Sequence, residues 1–539
     1  MRSGSLDRAI ALHRAGDLGQ ALTAYQDLLA ADPNNPDALH LTGVLVHQMG
    51  RTSIGIACIE QAIALNPKAP LYHRNMAELR KSTGDHKRAA VHLLQAVALN
   101  PEDASAHLEL GLMRAADGDT LAAIASYRTA LALNPAFVSA YTNLGVALEA
   151  LDDEDGARAA YEQALALQPD FAPALNNLGS LLGLQEDMVQ GIALLRRAIA
   201  VDPNHAEARV NLGQFLLMQG EIREGWALFE ARRTVRNTMH PPAGAPAWNG
   251  ADDACRRLLV CAEQGLGDEM MYASCIGDLQ ASQPRTTLVL ECDPRLAPLF
   301  GRSFPGCEVR PYRLTPERLR SSRRDWLTQA PVDAYVPAGT LPLHFRSDRA
   351  SYPTQAGYLV ADQRRVAHWR RWLSALADGR QTIGLCWRSG ARGSARDSQA
   401  LPLAAWTPMM RNERLCIVNL QYGDGGPALI AHGNAIGAPV LEPPDLDLFN
   451  DIDDIAALIA ALDQVVSAPT SVCELAGALG RPTWRVIRGN DWSLLGESGR
   501  RPWHPNTRVV IGPRRTEPEA LIDEVLTKLL AEIQSDREQ

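Results

Sequence analysis

The chain has 539 residues, enough material for roughly three to four domain-sized units with cores of their own. Its 62 Asp plus Glu against 53 Lys plus Arg give a mildly acidic balance, which argues against a nucleic-acid backbone as the main partner. Nine scattered cysteines, with no C-x-x-C pair, suggest neither a zinc knuckle nor a disulfide framework, and no metal site is expected. The opening MRSGSLDRAIALHRAG is amphipathic and broken by charge, and no later apolar run approaches ~18 residues, so the expectation is a cytoplasmic protein without membrane attachment.

The first part of the chain is periodic. Pro33, Pro67, Pro101, Pro135, Pro169 and Pro203 each stand 34 positions after the one before. The same frame aligns Gly43, Gly111, Gly145, Gly179 and Gly213, completed by Ala9 and Ala77. It also aligns Ala21, Ala89, Ala123 and Ala157 with Gly55, Gly191 and Gly225, and Ala62, Ala96, Ala130, Ala164 and Ala198. Small residues recurring where antiparallel helices approach, with a proline opening the turn to the next helix, are the signature of the tetratricopeptide repeat. Seven repeats are counted, the last degenerate, forming an all-α superhelix over residues 1–237 that is expected to fold by itself.

The concave face of such an array is lined by the first helix of each repeat. Two residues before the glycine column stand Asn75, Asn143, Asn177 and Asn211, with Leu41 and Glu109 breaking the series. A side-chain amide accepts and donates, so a ladder of asparagines suits the backbone of an extended polypeptide whatever its sequence. The competing reading is that these amides bond to neighbouring helices.

After EGWALFEARR, the stretch HPPAGAPAWNG ends the helical period and marks a boundary near residue 238. Short apolar runs follow, RLLVCA at 257, TTLVLEC at 286, TIGLCW at 382, LCIVNL at 415 and QVVSA at 464, alternating with helical patterns. This predicts α/β folding in two Rossmann-like lobes, 238–378 and 379–539, parted near the helical stretch QRRVAHWRRWLSALADG.

Two loops follow strands where α/β folds place ligands. In Glu263-Gln264-Gly265-Leu266-Gly267-Asp268 the glycines turn the backbone out of a strand and Asp268 begins a helix, whose positive end favours an ionised carboxylate. In the run from Ser467 to Pro482, Thr470 and Ser471 open a helix whose free N–H groups suit a phosphate. The plain alternative for each is a helix cap with no ligand.

These motifs, CAEQGLGDEMMYASCIGDL, IGLCWRSG, VNLQYGD, DIDDIAALIAALDQVVSAPTSVCELAGALGRPTW and DWSLLG with RPWHPNTRVV, resemble in order and spacing a bacterial family in which tetratricopeptide repeats precede a heptosyltransferase-like, two-lobed GT-B domain. The repeat ladder resembles that of O-GlcNAc transferases, and the WRSG and LQYGD versions resemble tetratricopeptide flagellin glycosyltransferases. The resemblance implies a metal-independent protein glycosyltransferase with no cofactor beyond its nucleotide-activated sugar. Asp268 is then the general base and Arg388 the basic group toward the leaving nucleotide. Gly265, Gly267, Gln421, Thr470, Ser471, Val472 and Glu474 would surround the donor, and flagellin is the suggested acceptor.

Family sequences commonly carry Asp before the Thr and His on the next helix turn, where this chain has Pro469 and Glu474; a carboxylate there suits a ribose. The departure puts ADP-heptose in doubt, and a CMP-activated nonulosonic acid would fit the flagellin resemblance. Arg392 and Arg396 are second-choice phosphate ligands, and the run Arg313 to Arg324 is read as a solvated face. The rival function is a non-catalytic repeat adaptor with a decayed glycosyltransferase domain. A lipid-linked acceptor ranks last, since nothing strongly basic or membrane-seeking supports it.

Overall fold

The computed structural model describes residues 2–185, 187–235, 241–242, 244–250, 255–314, 324–389 and 400–538. It divides into two compact units, Met1–Leu178 and Gly179–Gln539.

In the first unit, helices alternate in antiparallel pairs from Arg2–Arg14 onward. The glycine column is explained by close approach. A Cβ on Gly43 would lie 2.8 Å from the Gly55 carbonyl oxygen, and one on Gly111 or Gly145 would lie 2.4 Å from the ring of Tyr127 or Tyr161. Between the two helices of a repeat, the chain turns through the left-handed region at Gly16, Gly50, Gly84 and Gly118, a second 34-residue column. Asp152 takes the same conformation, φ 59°, without a glycine's freedom. The periodic prolines lie in the turns between repeats, and Asn35, Asp103 and Asp153 cap the helices that follow such turns or the tight ones.

The second unit includes the helices Met188–Val201, Ala206–Gln219 and Ile222–Phe229 together with two sheets. Thus the compact division falls at Leu178, while the sequence boundary near 238 lies within residues 236–240, outside the described residues. The reason is an aromatic joint. Trp226, 1% exposed, donates from Nε1 to the Tyr352 hydroxyl at 3.1 Å and meets Trp492 and Trp503 edge-on, with centroids 5.8 and 5.9 Å away. Close by, Arg232 is buried between Glu230 and Glu263.

The first sheet has strands β1 (Arg257–Cys261), β2 (Thr287–Cys292), β3 (Glu308–Pro311) and β4 (Ala334–Pro337), all parallel, in the order β3-β2-β1-β4. The second has β5 (Gln381–Cys386), β6 (Leu415–Asn419), β7 (Gln464–Ser467), β8 (Thr483–Arg488), β9 (Arg500–Arg501) and β10 (His504–Gly512), in the order β6-β5-β7-β8-β10-β9. Among the described residues, only the β9–β10 edge pair is antiparallel. The buried runs RLLVC, TLVLEC and QTIGLC are what parallel strands covered on both faces require. The carboxyl-terminal helix Pro518–Glu538 lays Leu521, Ile522, Val525, Leu529 and Ile533 into the core beside β5, β8 and β10. Among the described residues no helix is long and apolar enough to cross a membrane.

Strand order reverses direction between β1 and β4 in one sheet and between β5 and β7 in the other. Crevices open at the carboxyl ends of strands at such switch points. The loops after β1, β5 and β7 are those that carry Asp268, Arg388 and Thr470.

Candidate functional site: a cleft between two helix starts

After β1, Glu263 is held by Arg232, whose Nη2 donates to Oε1 at 2.7 Å. Gly339 leaves room for that carboxylate, since a Cβ there would be 2.0 Å from Oε1. Gln264 then turns through φ 61° and the helix Leu266–Ala273 begins. Asp268, half-buried in its first turn, accepts from the Gly265 N–H at Oδ2, 3.1 Å. The cap contact weighed as the plain reading is therefore present, and the residue also lines a cleft.

After β5, the Arg388 N–H donates to Gln421 Oε1 at 3.0 Å, while its guanidinium lies 4.9 Å over the Trp387 ring and donates to Asp424 at 2.7 Å. Gln421 is 1% exposed and braces this loop from within; it does not line the cleft. After β7, Thr470 caps the helix Ser471–Ala478, its hydroxyl accepting from Cys473 N–H at 3.4 Å and sharing a hydrogen bond with Ser467 at 3.0 Å. Thr470 is buried, so the more accessible hydroxyl at this helix start is that of half-buried Ser471.

The two helix starts face one another. A Cβ on Gly267 would lie 3.3 Å from Glu474 Cγ and 3.6 Å from Ser471 Cα, so glycine permits this approach. Between them lies a cleft of about 690 Å³ that brings together Gly265, Gly267, Asp268, Arg388, Thr470, Ser471, Val472 and Glu474. A volume of that size suits a small organic ligand.

Glu474 is 7% exposed and both its oxygens are engaged: Oε1 accepts from Arg485 at 2.9 Å and Oε2 from Arg501. Its partners in the structure are thus buried guanidinium groups, and the ribose contact anticipated for it would have to use the second lone pair of an oxygen already engaged. Arg485 also donates to Asp491 at 2.7 and 3.1 Å. Burial would raise the Asp491 carboxyl, but the charges of Arg485 and Arg501 outweigh it and hold it at about 2. The two carboxylates and two guanidiniums balance. His504 is kept neutral, its pKa driven well below the usual value by burial and by Arg501 and Arg485. It accepts from Arg501 at Nδ1, 3.0 Å, and its Nε2 meets the Tyr358 hydroxyl at 3.0 Å, which donates to the Met270 carbonyl at 2.7 Å. The chain of bonds thus ends in the helix that bears Asp268.

Sequence reading missed several lining residues. Tyr422 and Phe449 lie with ring centroids 6.2 Å apart, and Arg295 sits 5.1 Å over Phe449 while chelating Asp293 at 2.8 and 2.9 Å. Trp492 and Asn490 line the same cleft and reach the last repeat helices, Trp492 packing on Phe229 at 5.5 Å and Asn490 donating to the Leu184 carbonyl at 3.2 Å. Arg295 follows β2 and was discoverable from its place at a strand's carboxyl end; Arg485 and Arg501 stood out only as charges inside strand sequence.

On the repeats, Asn75 donates to His40 Nε2 at 2.7 Å and Asn177 accepts from Asn176 at 2.9 Å, so these two ladder amides do pair within the array. Asn143 and Asn211 are half-buried. The expected solvated arginine run is corrected at one end: Arg324 is buried against Glu291, donating at 2.6 and 3.0 Å, because the Glu291 carboxylate at the end of β2 is itself buried. Arg313 is exposed beside Asp325. Positions 315–323, Arg392 and Arg396 lie outside the described residues.

Comparison with known proteins agrees on the repeats. Tetratricopeptide repeat profiles match residues 12–79, 113–152, 138–171 and 194–227. The chain therefore carries tetratricopeptide repeats, modules that generally bind protein partners. Protein FlbA of Caulobacter vibrioides is 33% identical over 288 residues, which is 52% of this chain and 48% of FlbA. The chain spans about half the length of that curated relative. Among solved structures, MamA is 26% identical over 30% of this chain and 94% of its own, with a TM-score of 0.28. The Cut9–Hcn1 hetero-tetramer of the APC/C is 21% identical over 40% and 43%, and pilF of Pseudomonas aeruginosa 18% over 39% and 95%, each with a TM-score of 0.36.

Proposed function

We propose that this chain is a protein glycosyltransferase of GT-B type that holds a polypeptide on its repeats and moves a sugar from a nucleotide-activated donor to a Ser or Thr hydroxyl. One observation carries the reading: a carboxylate in the first turn of one helix and the open start of another stand on opposite walls of a single cleft, at the switch points of two parallel sheets. Asp268 takes the acceptor's proton as the new bond to the anomeric carbon forms and the bond to the leaving phosphate breaks. The Ser471 helix start, with its N–H groups, and the Arg388 guanidinium stabilise the phosphate charge. The Tyr422 and Phe449 rings, tilted 51° to one another, offer apolar surface to the base or sugar. Flagellin is the acceptor suggested by the resemblance, and a CMP-activated nonulosonic acid a donor to include.

The test is turnover by the full chain with a panel of activated sugars and a purified flagellin. Release of nucleotide with a matching mass gain on Ser or Thr supports the proposal; nucleotide binding without transfer across the panel defeats it. That second outcome belongs to the rival reading, a non-catalytic adaptor, which is favoured by the engagement of both Glu474 oxygens.

A further inference from the structure

Within the first unit, the residue that interrupts the asparagine column stands in a cavity. Glu109 and its helix Ala104–Ala116, with the helices Pro70–Ser82 and His86–Leu99, enclose about 120 Å³ between Ala77, Leu93, Leu112 and Met113. Leu112 is 42% exposed at its mouth. The charges nearest Glu109 are already matched, Arg74 with Asp103 at 2.9 Å and Lys81 with Glu78 at 2.5 Å. Among the described residues, no hydrogen bond or ion pair engages the Glu109 carboxylate itself. It is half-buried, and burial pushes its carboxyl above the ordinary value.

A partly desolvated carboxylate with apolar walls is unfavourable alone and is relieved by a cation that brings its own apolar surface. A lysine side chain has that form, a methylene stem with one compact ammonium at its end. The space, about 120 Å³, accepts a side chain and not a whole residue. Asp117 also lines the cavity and adds a second carboxylate to draw a cation, and the compact ammonium of a lysine needs less of the limited space than the planar fork of an arginine. We propose that the Glu109 cavity is a side-chain pocket for a lysine of the polypeptide bound by the repeats, fixing the register that a ladder of amides leaves open. The proposal rests on the repeats holding a polypeptide and is independent of sugar transfer.

The test uses the full chain without nucleotide and three capped peptides, Gly-Ser-Lys-Ser-Gly and its norleucine and Nε-acetyl-lysine counterparts. Saturation-transfer NMR is expected to show the lysine methylenes in contact with the protein, with weak or no signal from the other two. Glu109→Gln should weaken the lysine peptide roughly tenfold, as loss of one charge-assisted pair implies. Independently of any variant, carbodiimide coupling of the lysine peptide to the unmodified chain should join it to Glu109, located by peptide mass spectrometry. Equal signals from lysine and norleucine, unchanged binding in Glu109→Gln, or coupling only at other carboxylates would overturn the pocket. A chain that binds the lysine peptide here yet transfers no sugar refutes the enzyme reading and leaves this one standing.

Discussion

Replacing Glu474 by Gln separates a structural anion from a ligand-binding one. The side chain keeps its shape and one acceptor, but its amide then turns N–H groups toward guanidiniums that have none but donors to offer. Arg485 retains Asp491 at 2.7 Å. Arg501, 1% exposed, keeps only Ser493, His504 and the Met271 sulfur, all uncharged. Breaking a buried pair by removing one partner costs about 3–5 kcal/mol, and the lower end is expected because Gln still accepts one hydrogen bond. Urea unfolding followed by tryptophan fluorescence reports this region, since Trp492 and Trp503 adjoin the network. The midpoint should fall with or without nucleotide. A midpoint equal to the wild type, together with lost nucleotide affinity, would refute the structural account and restore Glu474 as a ribose ligand.

Other consequences are as direct. Ser471→Asp places a negative charge at the open helix start and should abolish nucleotide binding in calorimetry while leaving thermal unfolding near the wild type, since Ser471 is not a buried cap. Trp226→Ala should destabilise the second unit by about 3–5 kcal/mol, because it empties a buried site and strips the Tyr352 hydroxyl of its donor; an effect below about 1 kcal/mol in denaturant titration would deny the aromatic joint. Asp152→Gly should raise the melting temperature of the repeats, relieving roughly 1 kcal/mol of left-handed strain less the added freedom of the unfolded chain, and a lower melting temperature would contradict the turn assignment. Low pH adds a check: the Asp491 carboxyl is depressed from 3.8 to about 2, so its stabilisation is fully present above about pH 5 and is lost progressively as pH falls through 3.8 and past 2.

Periodicity made the repeats legible, because each close approach of a helix pair demands a small residue and repeats that demand every 34 positions. The left-handed turn column at Gly16, Gly50, Gly84 and Gly118 was equally visible but went unread. Strands β1, β2, β5, β6 and β7 were legible as apolar runs. β3 was not, being a half-exposed edge strand, and β8 was hidden by Arg485, whose charge is tolerated only because Glu474 and Asp491 meet it. The loops after β1 and β7 were legible from their glycines and hydroxyls, the Arg388 loop after β5 only through the family resemblance, and the structure does gather the three at one cleft. What the sequence could not supply was pairing: that Glu474 faces two arginines, that Thr470 spends its hydroxyl inward, and that Asn75 bonds to His40 are facts of three-dimensional neighbourhood.

The central claim turns on Asp268. Asp268→Asn keeps an oxygen that can accept from the Gly265 N–H, so the helix start is preserved and little stability is lost. The amide cannot take up the acceptor's proton. With a donor and acceptor pair that supports turnover, the transfer rate should fall by roughly 10²–10⁴-fold while both still bind. Transfer at close to the wild-type rate would mean that Asp268 only caps its helix, and the proposed mechanism would be wrong.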